Sequence, residues 1–377
     1  MRTTYVTHGS FEMRAHPSQF RYDCSHMPSH IGNRLTDNAR GADDAQGLIQ
    51  RAITEVANQT GWIIRDRSVV FTGQYYDRKK VGSFIARVTN DREESAVLKL
   101  QLRPLPFDEG FITRHIQPQL KSNRIRLPKL IADEPWNDHR GYGYLLTEDV
   151  THLPKLWAGH SPTDVEMNRH ASFLEVFMHD VLPITPFLPT PSHTLQEAYR
   201  DAFEHFSEIA QLSVHHHIEP STVERMRKTY LRILGDLTSG DIHFTHGHLS
   251  GMDVIEDRTS DSFILFSNLL WSFRPTYYEC IFPLWVDLMG IRDTRVTLQR
   301  FQSRITAWAT LWQRIQGIDP RKDSFFWFLL LERTMMTVML DLGAGDWGDT
   351  EQDEKEALLR TWVDLFDWLI SEQHSTI

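Results

Sequence analysis

Cysteine is almost missing from this chain of 377 residues: Cys24 and Cys280 are all it has. Two thiols cannot build a disulfide framework or a cysteine-rich zinc site, so a reducing compartment is expected. A surplus of positive charge is missing too, the formal net charge being −10. That argues against a general binder of nucleic acid or of anionic membrane, both of which need basic patches. Long apolar runs are also lacking. Phe325 to Leu331 is strongly apolar but is soon broken by Glu332 and Arg333, well short of a membrane span. The first thirty residues carry charge and histidine throughout and have no apolar signal-peptide core, so a cytoplasmic protein is expected. No internal repeat and no low-complexity tract stands out.

What is present is ordinary soluble-globular material, 41% hydrophobic and 24% charged, in a chain long enough for two lobes. Residues 1–43 are polar and aperiodic and read as an arm. From Ala45, the spacing of Leu48, Ile49, Ile53 and Val56 predicts an amphipathic helix ending near Gly61. Short β-branched runs at 62–64, 68–72, 83–88 and 96–100 predict strands, and the last sets Lys99 within Val97-Leu98-Lys99-Leu100. A helix then carries Glu109, with Phe111, Ile112, Ile116 and Leu120 expected on its buried side. Strands follow at 129–132 and 142–146. Beyond Pro154 the pattern is helical: 195–212 with a clean 3.6 period, a helix opened by Pro220, and further helices over 277–290, 293–316, 323–342 and 353–373. A β-rich N-lobe (44–149) and a helical C-lobe (150–377) make a bilobal α+β plan.

One loop interrupts the helices. Thr245-His246-Gly247-His248-Leu249-Ser250-Gly251-Met252-Asp253 leads into two short β-like runs joined by a polar turn from Glu256 to Ser262. With His243, it gathers more groups that titrate near neutrality than any other segment. The spacing of His243, His246 and His248 matches no helical or finger signature for zinc, so no metal is assigned. His215-His216-His217 reads as a solvated helix end.

The order of these parts resembles the aminoglycoside phosphotransferase and choline kinase-like superfamily, relatives of the protein kinases, over roughly residues 60–345. His246-Gly247-His248-Leu249 stands against that family's His-Gly-Asp-Leu-His-x-x-Asn loop. The resemblance implies that Lys99 and Glu109 are the phosphate-holding lysine and its glutamate partner, that 143–150 leads to the inter-lobe hinge, and that Pro275 to Glu279 follows the metal site. The departures fall at the chemistry. His248 stands where the family keeps its catalytic aspartate, and Ser250 replaces the later histidine. Asp253 replaces the metal-binding asparagine, and Ser267-Asn268 stand where the second metal aspartate is expected. The glycine-rich turn, 73–82, carries bulky residues where close approach to phosphate needs glycine.

Phosphoryl transfer depends on positioning and on metal neutralising charge. Losing the base and a metal anchor together therefore predicts a repurposed cleft. It would bind a small, largely apolar molecule and promote a cyclisation, rearrangement or isomerisation without ATP, metal or other cofactor. His248 is the candidate acid or base, its bland alternative being a loop residue bonded to backbone. Asp253 is its polar partner on the open face of the loop, and His246 braces the loop. Trp271 and Phe273 are expected to wall the cleft, with Ser267 and Asn268 beside them. Trp285, Trp308, Trp312, Trp327 and Trp347 are read as core. Two alternatives stay open: a noncatalytic pseudokinase holding a nucleotide or a partner through Lys99 and Glu109, and a true phosphotransferase using Asp253 with Asp257 or Asp261.

Overall fold

The computed structural model describes residues 40–64, 69–74, 80–104, 107–157, 161–192, 194–212, 218–237, 241–266, 268–291, 297–342 and 352–376. The arm up to residue 39, the tip 75–79 of the turn expected to be glycine-rich, His215–His217, Ser267 and Trp347 lie outside them.

The N-lobe begins with β1 (Arg40–Gly41) and α1 (Ala42–Thr60). Strands β2 (Val69–Gln74), β3 (Lys80–Thr89) and β4 (Ser95–Gln101) follow, then α2 (Glu109–Ile116). Three more strands complete it: β5 (Ile125–Arg126), β6 (Leu130–Asn137) and β7 (Tyr142–Glu148). The main sheet runs β1-β3-β4-β7-β6, with β2 also paired to β3, all antiparallel. Alternation decides what faces where. Ala96, Leu98 and Leu100 of β4 are buried with Ala45, Leu48, Ala52 and Val56 of α1, so α1 covers that face. Lys99, one residue out of phase, is left on the opposite face, where α2 arrives.

Asp108 caps α2 by accepting the Phe111 amide at 2.8 Å, and a 3-10 turn containing Pro118 ends it. Ile112 and Ile116 are buried as the periodicity predicts, but Phe111 is 37% exposed. Leu120 lies past the end of this short helix. The strand expected at 62–64 is reduced to a single bridge between Ile63 and Thr89, because Gly61, in the left-handed region, turns the chain out of α1 just before it.

The C-lobe contains α3 (Asp164–Val181), α4 (Leu195–Leu212) and α5 (Pro220–Asp236). Next come β8 (Ile242–His246), the hairpin β9 (Val254–Asp257) and β10 (Ser262–Leu265), and β11 (Trp271–Pro275). Helices α6 (Tyr278–Gly290), α7 (Leu298–Gln316), α8 (Ser324–Met336) and α9 (Gln352–Thr376) close the chain. The expected helix over 323–342 is α8 continued by a π-helical turn, Thr337–Leu342. Their apolar faces share one large core, to which Trp271, Trp285, Trp308, Trp312 and Trp327 all belong.

Two small sheets sit between the lobes and position the loop. β9 and β10 form the expected hairpin, and β10 also pairs in parallel with β5. β8 pairs antiparallel with β11, setting His246 opposite Trp271 and His243 opposite Arg274. The β8–β11 ladder is a non-local pairing that local periodicity does not announce.

Candidate active site

The loop between β8 and β9 is fastened at both ends. His246 is fully buried and donates through Nε2 to the Phe266 carbonyl at 3.1 Å. The Gly247 amide donates to the Leu270 carbonyl at 2.8 Å, while its own carbonyl accepts from Arg274 Nη2 (3.0 Å) and Tyr278 Oη (2.6 Å). A Cβ at Gly247 would overlap the Leu270 carbonyl and the Ser272 hydroxyl, so the close approach requires glycine here. Gly251 is equally confined, because a side chain there would overlap the Trp157 indole. The Phe266 amide donates to the Asp253 carbonyl at 3.1 Å and ties the loop to the end of β10.

Within this frame, Asp253 is the hub. One oxygen, Oδ2, accepts from His248 Nδ1 (3.0 Å), the Ser250 amide (3.2 Å) and the Ser250 hydroxyl (2.6 Å). The carboxylate is 5% exposed and so does not lie on an open face as the sequence reading expected; the short turn back from Ser250 draws it inward. Burial pushes its pKa up, but the His248 imidazole, His246 and the Ser250 hydroxyl outweigh that and hold it below the usual value of 3.8. His248 packs against the Phe282 ring, centroids 4.6 Å apart. Since a carboxylate only accepts, the proton of a neutral His248 sits on Nδ1, and Nε2 carries the basic lone pair.

Across the cleft, Lys99 and Glu109 form an ion pair. The second glutamate oxygen accepts the Asn268 amide at 3.0 Å, so the pair reaches from the N-lobe to the start of the segment before β11. Asn268 is buried, its side chain donating to the Leu265 carbonyl and accepting from Trp271 Nε1, each at 3.2 Å. Trp271 and Phe273 turn inward, at 2% and 9% exposure. Trp271 stacks on Phe244 and Phe273 meets the same ring edge-on, placing both in the C-lobe core and not on the open wall expected of them. Alternation along β11 does this, sending Trp271 and Phe273 to the same side as Phe244 of β8.

The three histidines do not converge. His243 Nε2 lies 2.8 Å from Glu279 Oε1, His246 is spent on a backbone carbonyl and His248 on Asp253. Among the described residues no group of three metal-ligating side chains comes together.

Sequence reasoning passed over several contributors. Trp157 backs Gly251, and Arg274 holds the Gly247 carbonyl. An aromatic cluster of Phe107, Phe111, His115 and Phe187 joins α2 to the 182–188 segment, with His115 Nε2 donating to the Thr185 carbonyl at 2.8 Å. Phe107, Phe111 and His115 recur every fourth residue, a stripe that could have flagged it.

No protein-family model and no curated protein matches the sequence. Solved structures do match in shape. Amicoumacin kinase hAmiN, in complex with AMP-PNP, Ca2+ and Ami, superposes with a TM-score of 0.56 at 14% identity, covering 86% of this chain and 96% of that one. A microcompartment-associated aminopropanol kinase gives 0.54 at 12% identity, covering 86% and 98%. The chain has the kinase-like fold of the aminoglycoside phosphotransferase and choline kinase-like group.

A phosphotransferase-like fold implies a nucleotide and a divalent metal, and the donor set can be tested for both. Asp253 Oδ2 already accepts three hydrogen bonds, and the Asn268 side chain is committed on both its atoms. Asp257 accepts the Thr259 and Ser260 amides in the β9–β10 turn, and Asp261 is at the same exposed turn. These residues do not fit an octahedral, oxygen-rich metal site. The nucleotide side fits in part. Lys99 and Glu109 border a solvent-open cleft of about 260 Å³, where Asp108 and Glu134 add further carboxylates.

Proposed function

We propose that this chain is a small-molecule enzyme on a phosphotransferase-like scaffold, working by proton transfer at His248 without a divalent metal. The observation that carries this is the buried Asp253 carboxylate, which accepts from His248 Nδ1 at 3.0 Å while Ser250 fixes it from the other side. A carboxylate behind an imidazole sets the tautomer, orients the ring and stabilises the imidazolium that forms when Nε2 takes a proton. The loop that would present a metal ligand instead presents a base. The favoured chemistry is mass-neutral: cyclisation, rearrangement or isomerisation of a largely apolar organic molecule, accelerated by confinement and one well-placed proton donor or acceptor. The Phe282 ring against His248 supports an apolar surrounding.

A second reading, a noncatalytic nucleotide binder, is favoured by one observation: the Lys99–Glu109 pair is formed and anchored on the Asn268 amide. Deleting the gene from its host and comparing metabolites by mass spectrometry separates the readings. Under the first, a precursor accumulates that has the elemental composition of the lost product. The product returns with wild type or Lys99→Met but not with His248→Ala. A lost product that differs from its precursor by a phosphoryl group would sink it, as would rescue by His248→Ala.

A further inference from the structure

Beneath the loop, two arginines enter the C-lobe core. Arg274 comes from β11 and Arg333 from α8, at 2% and 3% exposure. Arg333 commits Nε and Nη2 to the neighbouring Glu332, at 2.6 and 3.0 Å. Arg274 donates through Nη2 to the Gly247 carbonyl and lies over the Tyr278 ring, 4.7 Å from its centroid. Four buried atoms then remain without a hydrogen-bond partner: Nε and Nη1 of Arg274, Nη1 of Arg333 and the hydroxyl of Tyr230. They belong to one neighbourhood, since Glu332 feels the charge of both arginines and Tyr230 feels Glu332 and Arg333.

The chemistry of this set is one-sided. Guanidinium nitrogens only donate, and the tyrosine hydroxyl can donate as well, so whatever completes the cluster must accept. Water brings donors of its own along with its acceptors. Charge is one-sided too: two guanidiniums share one carboxylate, and a buried charge without a partner is strongly disfavoured. A monatomic anion answers both deficits at once. We propose that this node binds a single small anion of the chloride class, held by Arg274, Arg333 and Tyr230. Because Arg274 also grips the Gly247 carbonyl, occupancy stiffens the backbone that carries His248.

The test uses the full chain in sodium chloride, sodium bromide and sodium gluconate at equal ionic strength. Gluconate is too large to enter, and as a well-hydrated, surface-excluded anion it would by itself give the higher melting temperature. A specific site reverses that order, with chloride and bromide raising Tm above gluconate by about 2 °C or more. Crystals grown in bromide should show an anomalous peak within hydrogen-bond reach of Arg274 and Arg333. Glu332→Gln, which keeps the volume but removes the competing carboxylate, should enlarge the halide response, and Tyr230→Phe should reduce it. Melting in chloride at or below that in gluconate, or bromide peaks at the surface only, would overturn the assignment. So would a halide response that is the same in both variants and in wild type.

Discussion

The two sides of the cleft have parted company. On the N-lobe side, Lys99 and Glu109 meet as the resemblance to phosphotransferases implies, and both stand on regular elements. On the C-lobe side, the loop keeps its backbone path while its chemistry is different: an imidazole stands at the base position, backed by a carboxylate whose Oδ2 already accepts three hydrogen bonds. The contrast separates two jobs that one fold usually performs together. The Lys99–Glu109–Asn268 chain holds lobe geometry and asks for no ligand to do so. The His248–Asp253 pair has a proton-transfer geometry and little to offer a cation. Each side can therefore be attacked without the other, and the sizes of the effects rank them.

The largest effect belongs to Asp253. Replacing it with Ala strands the His248 Nδ1–H, the Ser250 amide and the Ser250 hydroxyl in a buried place. Breaking a buried, multiply bonded partner costs about 3 kcal/mol or more. Chemical denaturation should show that loss, and the variant should fail to restore the product in the deletion host. A loss under about 1 kcal/mol would mean that the loop is held by its backbone bonds alone, and the contrast between the two sides would collapse.

How much of this could be read beforehand depended on distance along the chain. Helices α4, α5 and α7 follow from apolar spacing within single segments, and so does the β9–β10 hairpin. Lys99 was visible as a charge in an apolar strand, and its place on the face away from α1 follows from alternation alone. Asp253 was recognisable as a partner for His248 because the two lie in one turn, yet its burial was not, since Trp157 and the end of β10 supply the walls. Trp271 and Phe273 were misplaced for a similar reason. Their side is set by pairing with Phe244 and His246, residues from a strand well removed in sequence. Arg274 gave no local signal either, because its task is set by the approach of α8 and of Gly247.

A smaller effect is expected at Lys99. The pair is half-buried, with the lysine side chain 19% exposed, and Glu109 keeps the Asn268 amide when the lysine is removed. Lys99→Met should cost about 1 kcal/mol, mainly from leaving a carboxylate less well compensated. Added ATP should then raise the melting temperature of wild type and variant equally, or of neither. A rise in wild type that vanishes in Lys99→Met would show that the N-lobe side still serves a nucleotide, and the proton-transfer reading would lose its separation from phosphotransferase chemistry.

The smallest effect is a matter of pH, and it comes from His243, the histidine that faces Glu279 instead of the loop. Burial lowers the His243 pKa, but the adjacent Glu279 carboxylate, by charge and hydrogen bond, more than restores it, so it lies above the usual 6.5. Burial likewise works against the Glu279 carboxylate, and His243, with the Thr245 hydroxyl, brings its pKa below the usual 4.5. A raised histidine contributes stability that is complete below 6.5 and lost as pH rises through its folded value. A lowered carboxylate contributes stability that is complete above 4.5 and lost as pH falls through its folded value. Both statements describe one ion pair, strongest between about pH 4.5 and 6.5. Its contribution is about 1 kcal/mol, because His243 remains 23% exposed. Unfolding followed by urea across that range should weaken on the alkaline side in wild type, and His243→Gln should flatten that limb. A limb unchanged by the substitution would assign the alkaline loss to the loop histidines, and the line drawn here between a structural and a chemical imidazole would have to be redrawn.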